Sequence, residues 1–117
     1  MTYFYLDFDN TGRVKKALLL SGRVEELAAF SQRLRETIDW LTDRLVANGA
    51  IVVMQGGDEV LVSSWTLHRR IVELLAQEAF ERALLPITLG NGATPGAAWL
   101  DLVERKARKA LPASLER

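Results

Sequence analysis

The pattern of apolar and polar residues changes along this chain between short continuous apolar runs and stripes with helical spacing. Residues 3–6 are apolar, and three of them are aromatic, so they predict a buried first strand. Apolar residues recur every three or four positions over residues 24–48, which predicts a long amphipathic helix. A similar stripe predicts another helix over about residues 65–84, and residues 13–20 are expected to form a short helix that ends at Ser21-Gly22. The chain therefore combines strand-like and helix-like segments.

Two short apolar runs, residues 50–54 and 60–62, lie on either side of the sequence Gln55-Gly56-Gly57-Asp58-Glu59. Two β-prone runs joined by a Gly-Gly pair predict a β-hairpin. Gly56 and Gly57 would permit a positive φ and the close approach of a ligand to the backbone. Two acids at the tip of a buried hairpin are costly unless a cation meets them, so this tip is the first candidate for a functional site.

The last third of the chain predicts a strand followed by a helix. Pro86 prevents the preceding helix from continuing and introduces a strand over residues 87–90, after which Asn91-Gly92 is expected to turn the chain. Thr94 as N-cap and Pro95 at the first helical position predict a helix over about residues 96–111. The tail from Pro112 is expected to be frayed.

These elements follow the order β-α-β-β-α-β-α, with an extra short helix after the first strand. That order predicts an α+β, ferredoxin-like fold, with an antiparallel sheet and its helices on one face. Strands one and three are neighbours in this topology, so Asp7 and Asp58 are expected to lie side by side, with the backbone carbonyl of Phe8 within reach. Because carboxylate and carbonyl oxygens are hard ligands, we predict a divalent-metal site that takes Mg²⁺ or Mn²⁺.

Composition narrows the class of protein. The length of 117 residues suits one domain, residues 1–117. Lys plus Arg equals Asp plus Glu, 15 of each, which argues against a surface for duplex nucleic acid. There is no cysteine, and no apolar run approaches the roughly 18–20 residues that span a bilayer. The first residues lack the basic region of a signal peptide, so a soluble cytoplasmic protein without membrane insertion is expected.

Two motifs together carry a resemblance to a known class of enzymes. The sequence Asp7-Phe8-Asp9-Asn10-Thr11-Gly12, followed by Gly56-Gly57-Asp58-Glu59, resembles the palm domain of nucleotide polymerases and cyclases. Two branches share this domain: the GGDEF-type diguanylate cyclases, and the polymerase/cyclase subunit of type III CRISPR effectors. The chain is more similar to the stand-alone form of the second branch, the minimal CRISPR polymerase (mCpol) family, because it reads as a bare palm. The C-terminal residues 89–95 and the lysine of the last helix, Lys106, also resemble that family.

The resemblance implies a metal-dependent nucleotidyltransferase that makes a cyclic oligonucleotide second messenger from ATP in antiviral defence. It also implies Mg²⁺ or Mn²⁺ as cofactor and a separate effector, either soluble or embedded in a membrane, that binds the cyclic product. Joining two nucleotides into a ring requires two facing sites, so the enzyme is expected to be a homodimer.

The resemblance further assigns roles to individual residues. Asp7, the Phe8 carbonyl and Asp58 would hold the metal. Backbone N–H groups at the start of the short helix would contact phosphates, and Lys106 would add a positive charge, with Arg13 or Lys109 as less favoured helpers. Asp9 and Glu59 remain open, because each can bind the metal directly, act through water or cap a turn. The expected catalytic residues are Asp7, Asp58 and Glu59, and the expected nucleotide contacts are Asp9, Asn10, Thr11, Gly12, Gly56, Gly57, Asn91 and Lys106.

The sequence departs from the family pattern in ways that keep alternatives open. The last strand of relatives often contains Gly-Ile-Gly where this chain has Gly90-Asn91-Gly92, which affects the expected nucleotide contact at Asn91. Glu59 stands where the CRISPR branch often has Asp, and Val60 where GGDEF proteins have Phe. The alternatives are a diguanylate cyclase or linear polymerase, a catalytically silent nucleotide sensor, and a structural module.

Overall fold

A computed structural model of the protein describes residues 1–112, so the frayed tail predicted after Pro112 lies outside the described residues. None of the helices in this part of the chain combines the length and the apolar character that crossing a membrane requires. The elements are β1 (Thr2–Phe8), α1 (Thr11–Leu20), α2 (Val24–Ala47), β2 (Ile51–Gln55), β3 (Glu59–Ser64), α3 (Arg69–Ala83), β4 (Ile87–Gly92) and α4 (Pro95–Lys109).

The four strands form one antiparallel sheet in the order β2-β3-β1-β4. Strand β1 is therefore central and pairs with β3 on one side and with β4 on the other. Asp7 lies directly opposite Glu59 on β3 and Thr88 on β4. The α+β, ferredoxin-like palm fold expected from the order of elements is confirmed, including the pairing of strands one and three.

The helices pack on both faces of the sheet. Alternate side chains of β1 and β3 project to opposite faces, because successive residues of a strand point in opposite directions. On one face Phe4, Leu6 and Phe8 enter a core with α2 and α3. On the other face Tyr5 and Leu61 contact α4. The prediction that all helices share one face is therefore wrong for α4, whose buried residues toward the sheet are Ala98 and Leu102.

Strand β4 contacts α4 through two glycines. A Cβ atom at Gly90 would lie 2.4 Å from the carbonyl oxygen of Ala98, and one at Gly92 would lie 2.7 Å from Cβ of Ala97. Both glycines pair with β1, so β4 continues through Gly92, and the turn predicted at Asn91-Gly92 is wrong. The glycines are there because the backbone of α4 lies directly on the strand.

The start of α3 also differs from the prediction. The helix begins at Arg69, and residues 65–68 form a connection. The Ser64 hydroxyl accepts hydrogen bonds from the N–H groups of Thr66 and Leu67, and Nδ1 of His68 accepts one from the N–H of Arg70. Ser64 thus satisfies backbone donors in the connection before the helix, and His68 serves as the N-cap by satisfying a donor in the first turn of α3.

Candidate metal and nucleotide site

Three carboxylates meet where β1 ends and the β2–β3 hairpin turns. Asp7, Asp58 and Glu59 each present an oxygen, and these three oxygens lie within 4.8 Å of one another. The strand register places Asp7 beside Glu59, and the Phe8 N–H donates to the Asp58 carbonyl at 3.1 Å, which holds the hairpin tip against β1. The predicted juxtaposition of Asp7 and Asp58 is thus present, and Glu59 belongs to the same cluster.

Two neutral hydroxyl groups orient these acids. Oγ1 of Thr11 donates a hydrogen bond to Oδ2 of Asp58 at 2.6 Å, and the Tyr5 hydroxyl donates to Oε2 of Glu59 at 2.8 Å. Each bond uses one carboxylate oxygen, and neither acid has a further side-chain hydrogen bond among residues 1–112. The hydroxyls therefore fix the two side chains and leave the second oxygen of each available to a ligand.

Lys106 on α4 contacts the remaining acid. Its Nζ donates to Oδ2 of Asp7 at 2.6 Å and to the backbone carbonyl of Phe8 at 3.2 Å. It also lies 3.5 Å from Oδ1 of Asp9. The carboxylate and the carbonyl that the sequence assigns to a metal thus converge on one cationic group. Lys106 reaches this place because α4 packs on the same face of the sheet to which Asp7 projects.

The negative charge of the acid cluster is only partly compensated by Lys106. Burial raises the pKa of Asp7 above its ordinary value, and the negative charges of Asp58 and Glu59 raise it further. The hydrogen bond and positive charge of Lys106 oppose this shift without reversing it. Burial also raises the pKa of the Tyr5 phenol, together with its bond to Glu59, so Tyr5 remains a neutral hydrogen-bond donor.

The donor set fits a divalent ion. Three carboxylates and one backbone carbonyl supply only hard oxygen ligands, which suit Mg²⁺ and Mn²⁺ and offer nothing to a metal that prefers sulfur or imidazole. An added positive charge would also relieve the repulsion among Asp7, Asp58 and Glu59.

Asp9 has a different environment from Asp7. Its carboxylate is buried, accepts a hydrogen bond from Oγ1 of Thr88 at 2.6 Å, and receives Nζ of Lys109 at 3.0 Å. Lys109 also donates to Thr88 and to the carbonyl of Ile87. Asp9 is thus held by partners on β4 and α4, and it is not part of the cluster of three acids.

A small cavity lies beside the cluster, at the start of α1. It has a volume of about 150 Å³ and is lined by Asp9, Asn10, Lys106, Lys109 and Ala110. Asn10 adopts a left-handed conformation with φ of 59°, so α1 starts abruptly and its first N–H groups, at residues 11–13, lack partners within the helix. No heavy atom lies within 4 Å of the position of a Cβ on Gly12. Two lysines and a helix N-terminus therefore adjoin the acids.

Of the remaining predicted nucleotide contacts, Gly56 and Gly57 lie near the acid cluster and Asn91 lies away from it. Gly56 and Gly57 are in the hairpin turn, but neither has a positive φ, so the conformational reason given for them is wrong. A Cβ at Gly57 would meet no atom within 4 Å, which leaves room for a ligand. Asn91 lies opposite Phe4, three residues along β1 from Asp7, or about 10 Å, and the structure does not bring it to the acids.

Sequence reasoning missed several side chains that shape the site. Tyr5 was assigned only to a buried strand, yet its position two residues before Asp7 places both on one face, which is a usable signal. The sequence indicates a phosphate contact for the backbone N–H of Thr11 and gives no role to its hydroxyl group, which donates to Asp58. Thr88 has no local motif, and only the pairing of β4 with β1 reveals it.

A palm-like sheet with carboxylates at the end of β1 and at the tip of the adjoining hairpin, together with a lysine from α4, agrees with the resemblance to the class of nucleotide polymerase and cyclase domains. Within this class, the chain matches the family model of the minimal CRISPR polymerase domain (mCpol) over residues 3–114 and belongs to that family. The family implies a polymerase/cyclase-like enzyme that acts on nucleotides. No curated protein and no solved structure matches the chain significantly.

Proposed function

We propose that the protein is a cyclic oligonucleotide synthase that joins nucleoside triphosphates, with ATP as the expected substrate, in the presence of a divalent metal. The observation that carries the proposal is the cluster of Asp7, Asp58 and Glu59, whose oxygens lie within 4.8 Å beside a cavity with two lysines. Carboxylates that can hold a divalent metal, next to cationic groups that can bind phosphates, suit the transfer of a nucleotidyl group. The proposal takes residues 1–117 as one palm domain.

The residues suited to the metal are Asp7, the Phe8 carbonyl and Asp58, with Glu59 as a further ligand or as a base. When bound, Mg²⁺ or Mn²⁺ would supply charge stabilisation to the transferring phosphoryl group. The chain's own part is orientation, since Thr11 fixes Asp58 and Tyr5 fixes Glu59 through their hydroxyl groups.

Lys106 lies between the acid cluster and the cavity at the start of α1. It contacts Asp7 and also lines the cavity at the start of α1, so its ammonium group can bind a triphosphate there and leave Asp7 free. The N–H groups at the start of α1, in residues Asn10, Thr11 and Gly12, would bind phosphate oxygens from the other side. In the reaction a ribose hydroxyl oxygen forms a bond to the α-phosphorus, the bond to pyrophosphate breaks, and the hydroxyl proton passes to a carboxylate of the cluster.

Ring closure suggests the assembly and the pathway. Each palm offers one acid cluster, and forming a ring from two nucleotides requires two, so we propose a homodimer with apposed sites. We further propose that the cyclic product acts as a second messenger in antiviral defence, and that a separate effector, either soluble or membrane-embedded, binds it. A cytoplasmic location follows from that role. Membership of the mCpol family supports this part of the proposal.

The test is an assay of the products. The purified chain is incubated with each nucleoside triphosphate and Mg²⁺ or Mn²⁺, and products are identified by mass spectrometry, with Asp58→Asn as the inactive variant. Asp43→Asn, on the exposed face of α2, is the matched control. A cyclic product from ATP that is absent with Asp58→Asn and present with Asp43→Asn supports the proposal.

Other outcomes assign a different function. A cyclic product from GTP alone indicates a diguanylate cyclase, and linear products indicate a polymerase. The absence of pyrophosphate release with every nucleotide and both metals, combined with measurable nucleotide binding, identifies a silent sensor. Any of these results overturns the proposal as stated.

A further inference from the structure

A second concentration of charge lies outside the acid cluster, at the edge of the sheet. A groove of about 380 Å³ runs along the outer edge of β4, between α3 and α4. Four basic residues and one acid line it, although the whole chain has no net charge. The lining residues that carry charge are Arg69, Glu73, Arg105, Arg108 and Lys109.

Two of these arginines are held in position by acids on their own helices. Nε of Arg105 donates to Oδ2 of Asp101 at 3.0 Å, and Nε of Arg69 donates to Oε1 of Glu73 at 2.9 Å. Both arginine side chains are partly buried. Because the acid contacts Nε, the terminal nitrogens of each guanidinium remain available, and they have no hydrogen-bond acceptor within residues 1–112. The planar guanidinium group is thereby oriented for bidentate binding of an anion.

Arg108 adds an unpaired charge to the same face. It follows Arg105 by three positions and Asp101 by seven, so all three lie on one stripe of α4, on the side of the β4 edge. The side chain of Arg108 has no hydrogen bond or ion pair within the part of the chain that the structure describes. Three guanidinium groups therefore border one groove, and only two of them have a carboxylate partner.

The edge of β4 is closed to an added strand. Lys109 donates to the carbonyl of Ile87, and Asp101 accepts the N–H of Asn91, so side chains of α4 occupy backbone groups at both ends of this edge. Between them, only Leu89 presents backbone groups outward. Strand addition by a peptide needs a longer run of free groups than this, so the groove favours a compact anion over an extended peptide.

We propose that this groove is a second ligand site, which binds a small molecule with at least two phosphate groups through Arg69, Arg105 and Arg108. The volume of about 380 Å³ is within the range of small-molecule sites, roughly 300–1,000 Å³. Three guanidinium groups, two of them held in position by carboxylates, match two phosphates better than one, since each binds two oxygens at most in a bidentate manner. The site does not depend on catalysis by the acid cluster.

The experiment measures binding without any turnover. Inorganic pyrophosphate is titrated into the full chain by calorimetry at low salt with a chelator, which removes divalent metal and silences the acid cluster. The variant Arg69→Gln/Arg108→Gln removes two contacts and leaves the Arg105–Asp101 pair intact. We expect its dissociation constant to rise about 10-fold or more. The control Arg33→Gln/Arg35→Gln makes the same change of charge on the exposed face of α2 and is expected to bind like the native chain.

A third variant separates the two anion sites. Lys106→Ala alters the cavity beside the acids and is expected to leave pyrophosphate binding in the groove unchanged. Loss of binding with Lys106→Ala and not with Arg69→Gln/Arg108→Gln would place the anion in the other cavity and overturn the proposal. An equal loss in the α2 control, indicating unspecific attraction, would do the same. Thermal melting of each variant establishes that it is folded.

The choice of ligands tests the class. Orthophosphate is expected to bind at least about 10-fold more weakly than pyrophosphate, and equal affinity overturns the requirement for two phosphates. Comparison of pyrophosphate with ADP and with a cyclic dinucleotide distinguishes a free diphosphate from a nucleotide as the natural source. If an acidic peptide binds the groove and none of the phosphate compounds does, the proposal is wrong.

Discussion

The fold shifts the pKa values of two aspartates, Asp7 on β1 and Asp101 on α4, in opposite directions. Burial raises the pKa of Asp7, and Lys106 compensates only in part. Burial also tends to raise the pKa of Asp101, but the N–H of Asn91 and the guanidinium of Arg105 outweigh it, so the pKa is lowered. The charged form of Asp101 is therefore stabilised by the fold, and that of Asp7 is not. A carboxylate whose charged form is destabilised by its surroundings is typical of a functional site, and a bound cation would relieve that destabilisation.

The environments of both aspartates depend on the packing of α4 against the sheet. A single methyl group added to β4 should disrupt that packing. In Gly90→Ala the new Cβ would lie 2.4–2.8 Å from backbone atoms of Ala98 and Leu102, so the helix must move away from the sheet. We expect a loss of about 3 kcal/mol in the free energy of unfolding, together with loss of binding at both proposed anion sites. Denaturant unfolding and the binding assays measure this.

The matched control is Gly96→Ala, in the first turn of the same helix. A Cβ there meets no atom within 4 Å, and alanine is favoured over glycine in helices, so stability should be unchanged or slightly higher. If Gly90→Ala were as stable as Gly96→Ala, the close contact between β4 and α4 would be incorrect.

Removal of the charge of Asp7 should lower enzymatic activity without unfolding the protein. We expect Asp7→Asn to lower the rate of product formation by about 100-fold or more, because it removes a carboxylate that is placed to bind metal. The variant should remain folded, since an amide can still accept the hydrogen bond from Lys106. Initial rates over a range of Mg²⁺ concentrations measure the effect.

The matched control is Asp101→Asn, on α4 itself. It makes the same change of charge next to the groove, and we expect its rate of product formation to stay near that of the native chain. Equal inactivation by both variants would mean that the two aspartates do not differ in function.

The hydroxyl group of Thr11 should matter for activity more than for stability. Thr11→Val removes the donor to Asp58 and leaves that carboxylate without its 2.6 Å hydrogen bond. We expect about a 10-fold loss of activity, with a higher Mg²⁺ requirement, since a misplaced ligand binds metal less well. Thr37→Val removes a hydroxyl that bonds to the Arg33 carbonyl within α2, and it should alter stability alone. The reverse pattern would contradict a role for Thr11 in the site.

The smallest expected effect is the sharpest test of the two pKa shifts. A raised pKa in the folded state means that Asp7 contributes stability at low pH, which is lost as the pH rises through that pKa. Asp7→Asn should therefore be more stable than the native chain above this pKa, and the difference should vanish in acid. A lowered pKa means that Asp101 contributes stability above its ordinary pKa, which is lost as the pH falls.

Asp101→Asn should accordingly be less stable than the native chain near neutral pH, by about 0.5 kcal/mol for a partly exposed pair. Melting temperatures between pH 3 and pH 8 should thus change in opposite directions for the two variants. The same sign for both would contradict the comparison.

Much of the acid cluster was predictable, because it depends on topology and on the two-residue period of a strand. Once β1 and β3 are neighbours, Asp7 and Asp58 must meet, whatever the details of packing. The contact of Lys106 with Asp7 requires more, namely that α4 lies on the face to which Asp7 projects. Apolar periodicity could not indicate that face, since α4 buries only two of its residues toward the sheet, Ala98 and Leu102.

The basic groove was not predictable, because its parts come from separate elements with no common motif. Arg69 belongs to a residue range that the periodicity placed inside a helix starting at residue 65, whereas it is the first residue of α3. Gly90 and Gly92 did contain the missing signal, since glycines two residues apart in a strand indicate a close neighbour on one face. The sequence prediction places Gly90 at the end of the strand and Gly92 in a turn, so it does not treat the two glycines as a pair on one face.

The packing of α4 on β4 also has a consequence for the order of events during synthesis. The ion pairs of Lys106 with Asp7 and of Lys109 with Asp9 join residues 99 and 100 positions apart. A nascent chain that has left the ribosome as far as β3 therefore exposes all its clustered carboxylates before either lysine has emerged. Because contacts so distant in sequence form late in folding, the growing domain should be unable to bind nucleotide until α4 has been made and has docked.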